Sequence, residues 1–314
     1  MYTIFMTVPA TPLNNAQPGG PFTKMKPAKT FNEQISILRS RGLIIADDKR
    51  ASNFLARVNY YRFSGYAKLF YKSKDQFEVG TKIEDIIGIY YFDCELRNLL
   101  NEIMADIEIS LRTQIAYNLG LNVGAVSYAD ASLYENKDNF NKMMEVFNDE
   151  RNRKCRDPMV SHYSLEEHLP IWVVVEIVSL GTLSKLFSNL KPVYRKLICN
   201  NSYYSYYHVF FENYMSIATT LRNRIAHRER IYGKYFPKAP MLNKSDKQIL
   251  NENNLKINGS QSTLFMYMLC IKHLLLNKSR NRYFANKLEK ILKKYPMAKL
   301  ENIGFPDKWE NYFK

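Results

Sequence analysis

From Thr81 to Gly120 the chain runs without a proline, and Ile89, Leu96, Leu100, Ile103, Ile107, Leu111 and Ile115 recur mostly three or four positions apart. That spacing lines them up on one face of an α-helix, which then needs a partner surface along its whole length. A continuous helix here would be roughly 55 Å long at ~1.5 Å per residue, enough to organise a bundle. Thr81 and Glu84 have the S/T-x-x-E spacing that starts such a helix. The opposite face reads as polar: Asp93, Arg97 and Asn101 form one i, i+4 row, and Glu108 and Arg112 form another pair. Glycine and proline, 12 each, are too sparse for a turn-dense sandwich, and no alternating strand set competes. The expected fold class is all-α, a helical bundle with additional helices at both ends.

Residues Thr11 to Lys29 mix Pro, Gly, Asn and Lys without apolar periodicity, so residues 1–29 read as a flexible leader and 30–314 as a single folded unit. Thr30 and Glu33 repeat the capping-box spacing, with Gly42 as the stop. A second helix follows Asp47 or Asp48 and presents Phe54, Leu55 and Val58. Further helices are expected around Asn139–Asn152, Pro170–Leu180, Leu183–Leu190, Thr263–Asn277 and Arg282–Lys294. The segment Tyr204–Tyr232 reads as one more, with Gly233 just past its end. Lys234–Ser260 reads as a long loop with at most a short helix.

The net charge of +15 makes nucleic acid the first partner to consider. Cys94, Cys155, Cys199 and Cys270 stand far apart, which suits a reducing cytoplasm and suggests neither a zinc ribbon nor a disulfide scaffold. Cys155, His162 and His168 have irregular spacing and make an incomplete ligand set, so no metal and no cofactor is expected. Met1–Val8 lacks the basic residues and cleavage site of a secretion signal. The strongest apolar run, Ile171–Leu180, is broken by Glu176 and is half the ~20 residues of a membrane span, so no membrane association is expected. Glu176 itself is expected to find a buried partner.

Of the five histidines, His227 has the most distinctive surroundings. The segment Leu221-Arg222-Asn223-Arg224-Ile225-Ala226-His227-Arg228-Glu229-Arg230 sets one imidazole among arginines and an amide, on a helix whose other face carries Ile217, Leu221 and Ile225. A neutral imidazole can take the proton of a ribose 2′-hydroxyl, and a guanidinium can stabilise the charge that develops on phosphorus. At ~100° per residue Asn223 and His227 share a face, while Arg222 lies about 140° from His227, a geometry that favours a site completed by a second chain. Arg156 and His162 have similar spacing, but Pro158 lies between them. The residues alone leave open that the motif is an exposed basic helix end carrying an incidental histidine.

Other cations are candidates for RNA contact. Arg57, Tyr60, Tyr61 and Arg62 open a stretch in which charges alternate with rings, a composition that stacks bases while neutralising phosphates. Arg151, Arg153 and Lys154 form a second cluster able to grip a phosphate backbone, and Arg224 and Arg228 flank the histidine. Tyrosine stripes and charged helix ends also occur as ordinary packing and solvated surface.

The chain resembles the Abi family, the AbiD/AbiF-like abortive-infection proteins with a HEPN ribonuclease domain. The similarity is carried by Asn59-Tyr60-Tyr61-Arg62-Phe63-Ser64-Gly65-Tyr66, Phe92-Asp93, Leu96-Arg97, Leu169-Pro170-Ile171-Trp172-Val173, Gly181-Thr182-Leu183-Ser184-Lys185, Arg222 to His227 and Gly304-Phe305-Pro306-Asp307-Lys308-Trp309. Leu180 stands where an aromatic is expected. The resemblance implies a HEPN core over approximately 81–233 and 260–295. It also implies a metal-independent endoribonuclease of phage defence whose active site is assembled by a homodimer. Arg222 and His227 are then the catalytic pair and Asn223 the polar residue beside them. Some relatives are paired with a small noncoding RNA in the manner of a toxin and antitoxin, so RNA is implied as substrate and as inhibitor. The competing reading is a noncatalytic RNA-binding or sensor protein using the same basic surface.

Overall fold

The computed structural model describes residues 27–201, 207–255 and 262–313. Residues 1–26 of the expected leader, 204–206 of the expected motif helix and 256–260 of the expected loop lie outside the described residues.

The fold is all-α. Helix α1 (Phe31–Ser40) starts with the expected capping box: the Thr30 hydroxyl accepts from the Glu33 amide at 3.3 Å, and the Thr30 amide donates to the Glu33 carboxylate at 2.7 Å. Asp47 caps α2 (Asp48–Val58), which buries Phe54, Leu55 and Val58. Asn59, at φ 64°, turns the chain into α3 (Tyr60–Ala67). A small antiparallel hairpin follows, β1 (Tyr71–Ser73) with β2 (Gln76–Phe77), which the sequence pattern does not announce.

Helix α4 (Ile83–Asn122) is the expected long helix, 40 residues in one piece. Its start differs from the reading: the Lys82 amide donates to Asp85 at 3.1 Å, while the Thr81 hydroxyl turns back to the Glu78 carbonyl. Every residue of the expected apolar row, Ile89 through Ile115, is fully buried. The outer face differs more. Asp93, Arg97 and Arg112 are buried as well, because α3, α7, α9, α10 and α13 surround α4. With neighbours on several sides α4 keeps only part of its surface in solvent, and the polar row becomes a seat for another segment.

After α4 come α5 (Lys137–Arg153), the single turn α6 (Pro158–Ser161), α7 (Ile171–Ile177) and α8 (Leu180–Asn189). The break before α8 is made by Ser179, whose hydroxyl accepts from the Thr182 amide at 3.1 Å. Glu176 is exposed beside exposed Trp172, so the expected buried carboxylate in this segment is corrected: the two share the solvent edge of α7. Leu180, in place of an aromatic, is fully buried. Helix α9 (Pro192–Asn201), not anticipated, leads towards α10 (His208–Ala226).

The expected 234–260 loop holds a helix, α11 (Lys244–Glu252). Every residue of α12 (Leu264–Ile271) is buried, and α13 (Ser279–Lys294) packs on α4. The chain closes with Phe305, Trp309 and Phe313 against Phe284, with ring centroids 5.2 to 6.4 Å apart. Among the described residues the buried apolar side chains form one cluster from Ile35 to Phe313. Among the described residues no helix is long and apolar enough to cross a membrane.

Candidate functional site

Helix α10 is fixed by its apolar face: Phe211, Tyr214, Met215, Ile217, Ala218 and Leu221 are fully buried, and the helix packs on α8, α12 and α4. Burying such side chains contributes about 1.5–3 kcal/mol each, so the axis is held firmly and its far end is presented in one orientation. The helix ends at Ala226, six residues before the expected Tyr232. His227 forms the cap, its amide donating to the Asn223 carbonyl at 2.9 Å, and Arg228 adopts φ 52°. Gly233 is not the helix stop. It is a later turn at φ 66°, where a Cβ would lie 2.8 Å from the Leu69 side chain.

A buried carboxylate holds the segment that follows. Asp93 of α4, fully buried, accepts from the backbone amides of Ile231 at 3.1 Å and Tyr232 at 2.8 Å. Its other oxygen accepts from the Tyr66 hydroxyl at 2.7 Å and from Arg97. Burial, then the Asp93 charge, raises the Tyr66 hydroxyl above its ordinary range, so it remains a donor. Burial, the largest influence, opposes the Arg97 cation, but Asp93, Tyr66 and Cys94 together outweigh it and the guanidinium is raised. Arg97 also reaches the Glu229 carbonyl, at 3.4 Å, and Arg62 of α3 donates to the Arg228 carbonyl at 2.9 Å. Arg230 lies over the Tyr66 ring at 5.4 Å, with Gly65 leaving room for it. Residues 228–232 are thus pinned to α3 and α4 through side chains separated from them by more than a hundred positions.

Around this pinned segment the candidate residues separate. Asn223 and His227 are exposed on the helix end. Arg222 is half-exposed and turns towards α4, with its Nε 3.6 Å from Glu108. Glu108 is also paired with Arg112, so one carboxylate serves two guanidinium groups and the local balance stays positive. The Glu108–Arg112 row therefore faces the motif. Arg224 is engaged by the fold instead, because it donates to the Tyr235 carbonyl at 3.1 Å, stacks over Phe236 at 4.3 Å and lies near Glu229.

Beside the helix end lies a cleft of about 670 Å³, lined from the α10 side by Ile225, Ala226 and Arg228 and from α2 and α3 by Arg57, Val58 and Arg62. Its floor is α4: Tyr90, Cys94, Arg97, Asn98 and Asn101. No carboxylate is among its described lining residues. Burial, then the Cys94 thiol, raises the Tyr90 hydroxyl, which therefore stays neutral. Tyr61 is exposed but does not line this cleft, and Tyr60 turns towards Arg41 and Tyr71 on the other side of α3.

The α5 cluster is elsewhere. Arg151 donates to the carbonyls of Glu166 and Glu167 at 2.7 Å and of Tyr163 at 3.4 Å, and Arg153 pairs with Glu150. Lys154 caps the end of α5. None of the three lines the cleft. Among the described residues no group of three His, Cys, Asp or Glu side chains could hold a metal ion.

Sequence reasoning passed over Asn98, Cys94 and Tyr90. Their spacing from Asp93, Arg97 and Asn101 on one helix was the available signal, since all share the α4 face that meets the motif.

Neither a comparison with curated proteins nor one with solved structures returns a match. A family model described as Abi-like protein matches residues 53–233, more than half of the 314-residue chain. The matched span begins inside α2 and ends at Gly233, so it contains Arg57, Arg62, the Asp93 anchor, and the motif with its pinned loop. The chain belongs to the Abi-like protein family.

Proposed function

We propose that this chain is a metal-independent endoribonuclease of the HEPN type, acting in the cytoplasm in abortive-infection phage defence. The observation that carries the reading is the state of the α10 end: Asn223 and His227 stand exposed on a helix terminus whose following segment is pinned by Asp93, Arg97 and Arg62, with Arg222 beside them. Fixed placement of a base at an anion-binding site is what proton abstraction beside a phosphate needs.

In this scheme the His227 imidazole takes the proton from a ribose 2′-hydroxyl. The freed oxygen attacks the adjacent phosphorus, forming the P–O2′ bond as the P–O5′ bond breaks. The Arg222 guanidinium stabilises the charge on the non-bridging oxygens. The leaving 5′-oxygen takes a proton from the imidazolium of a second copy, so the products are a 2′,3′-cyclic phosphate and a 5′-hydroxyl. Because Arg222 turns towards Glu108 while His227 turns to solvent, a homodimer supplies the complementary groups. An exposed, uncharged ridge on α4, spaced every fourth residue as Ala105, Ile109, Thr113, Tyr117 and Leu121, supports such pairing on an otherwise basic protein. RNA is the substrate, and a noncoding RNA that fills the same surface uncut would restrain the enzyme.

The test is incubation of wild-type protein with RNA in excess EDTA, followed by end-group analysis. Cleavage with 2′,3′-cyclic phosphate ends supports the proposal. Cleavage that stops on chelation and returns with Mg²⁺ refutes it. RNA that binds but is never cut favours the second reading, a noncatalytic RNA-binding or sensor protein, for which the engagement of Arg222 by Glu108 is the favouring observation.

A further inference from the structure

We infer that the cleft beside the α10 end is a nucleotide subsite: Arg57, Arg62 and Arg228 hold a phosphate of the bound RNA strand while Asn98 and Asn101 read the edge of its base. This rests on the RNA-cleavage reading and adds to it where the strand lies and what selects it.

The charge is the first argument. Arg57, Arg62 and Arg228 are all exposed and converge on one cleft from α2, α3 and the turn after α10, with no carboxylate among the described residues that line it. Arg97, the fourth arginine there, is neutralised by Asp93 and contributes shape. The geometry of the two helical arginines is preset, since Arg57 Nε donates to the Asn53 carbonyl at 3.2 Å and Arg62 donates to the Arg228 carbonyl at 2.9 Å. Each keeps further N–H groups for an anion, and a planar guanidinium matches phosphate oxygens in pairs.

Placement is the second argument. Asn98 and Asn101 are exposed three residues apart on α4, on the cleft floor. Continuing along the same helix, Glu108 lies seven residues beyond Asn101, about 10 Å at ~1.5 Å per residue. There it meets Arg222. A strand whose reacting phosphate sits at Arg222 and His227 therefore runs along α4 into the cleft. Amides are the groups that recognise an unstacked base by its edge, and single-stranded RNA exposes those edges. The volume, about 670 Å³, falls in the range of pockets that enclose an organic ligand of this kind.

Cys94 makes the inference testable, because it lines the cleft while exposed Cys155 lies beyond the end of α5. Wild-type protein is mixed with a 2′-O-methyl RNA oligonucleotide, which cannot undergo 2′-hydroxyl attack, and alkylation of both thiols by iodoacetamide is followed by peptide mass spectrometry. With RNA at ten times its dissociation constant, Cys94 should react about tenfold more slowly and Cys155 at its free rate. Arg57→Ala, at an exposed position, should lower the slope of log affinity against log salt by about 0.7, one phosphate on a single strand. Asn98→Ala with Asn101→Ala should flatten the preference among homopolymers by roughly tenfold.

Binding of the oligonucleotide by fluorescence anisotropy with Cys94 unprotected would overturn the inference, while cleavage of unmodified RNA by the same protein would leave the nuclease reading standing. Protection of Cys94 by a free 5′-mononucleotide, with none from the oligonucleotide, would also overturn it. Protection by the oligonucleotide without any cleavage of unmodified RNA would sink the nuclease reading and keep the subsite.

Discussion

The arginines at the end of α10 and those at the end of α5 look alike in sequence, each a short run of cations at a helix terminus, yet the fold takes up Arg151, as it does Arg224, and leaves Arg222 and Arg228 at the surface. At α5, Arg151 is enclosed by the carbonyls of Tyr163, Glu166 and Glu167, and Arg153 leans on Glu150. At α10, the polar partners come to the backbone instead: Asp93 takes two amides, while Arg97 and Arg62 take two carbonyls. The backbone is satisfied without Arg222, Arg228 or His227, which stay at the surface. Whether a basic cluster can meet a ligand thus depends on where the carbonyls and carboxylates of the rest of the fold happen to fall.

The largest break in this comparison is Asp93→Ala. It leaves the buried Arg97 cation and the Ile231 and Tyr232 amides without their acceptor, so stability should fall by about 3–5 kcal/mol. Chemical denaturation measures it, and Asp93→Asn should recover part of the loss. A change below about 1 kcal/mol would mean that the loop is held by something else.

Arg151→Ala sharpens the other side. Losing the bonds to the 163–167 carbonyls should cost about 1–3 kcal/mol, while the salt dependence of RNA affinity stays as in wild type. A flattened salt slope with unchanged stability would return Arg151 to the RNA surface. Removing Arg153 and Lys154 together should move stability by less than about 1 kcal/mol, as for an exposed ion pair.

The smallest effect concerns pH. Burial first, then the charges of Arg195 and Lys196, hold the buried His208 imidazole below its usual value. The unfolded chain therefore takes up more protons as pH falls through about 6.5, so stability present above that pH is lost below it. Thermal melting at pH 7.5 and 5.5 should show this loss, and His208→Gln should reduce it. An identical difference in the variant would place the pH sensitivity elsewhere.

Much of this was legible in sequence, and the limits have physical causes. The row from Ile89 to Ile115 marks α4 because helical periodicity is local, and Thr30 with Glu33 marks the start of α1 for the same reason. The motif helix and its exposed histidine were equally readable. Its end was not, because Arg228 takes a positive φ with no glycine to signal it, and the residue that anchors the following segment, Asp93, lies 138 positions from Ile231. Glu176 misled for a related reason: an apolar run implies a buried helix but not which of its edges meets solvent. The cleft arises from α2, α3, α4 and the turn after α10 together, so no single window contains it.

The central claim is that the exposed end of α10 performs chemistry and does more than bind. Single-turnover cleavage of RNA at saturating protein, in excess EDTA, tests it most directly by comparing wild type with His227→Ala and Arg222→Ala. Both substitutions are at exposed or half-exposed positions, so the melting temperature serves as the check on folding. The account predicts that RNA affinity changes little in His227→Ala while its cleavage rate falls by roughly 10²–10⁴-fold, with Arg222→Ala also losing rate. A folded His227→Ala protein that cuts RNA at the wild-type rate would contradict it.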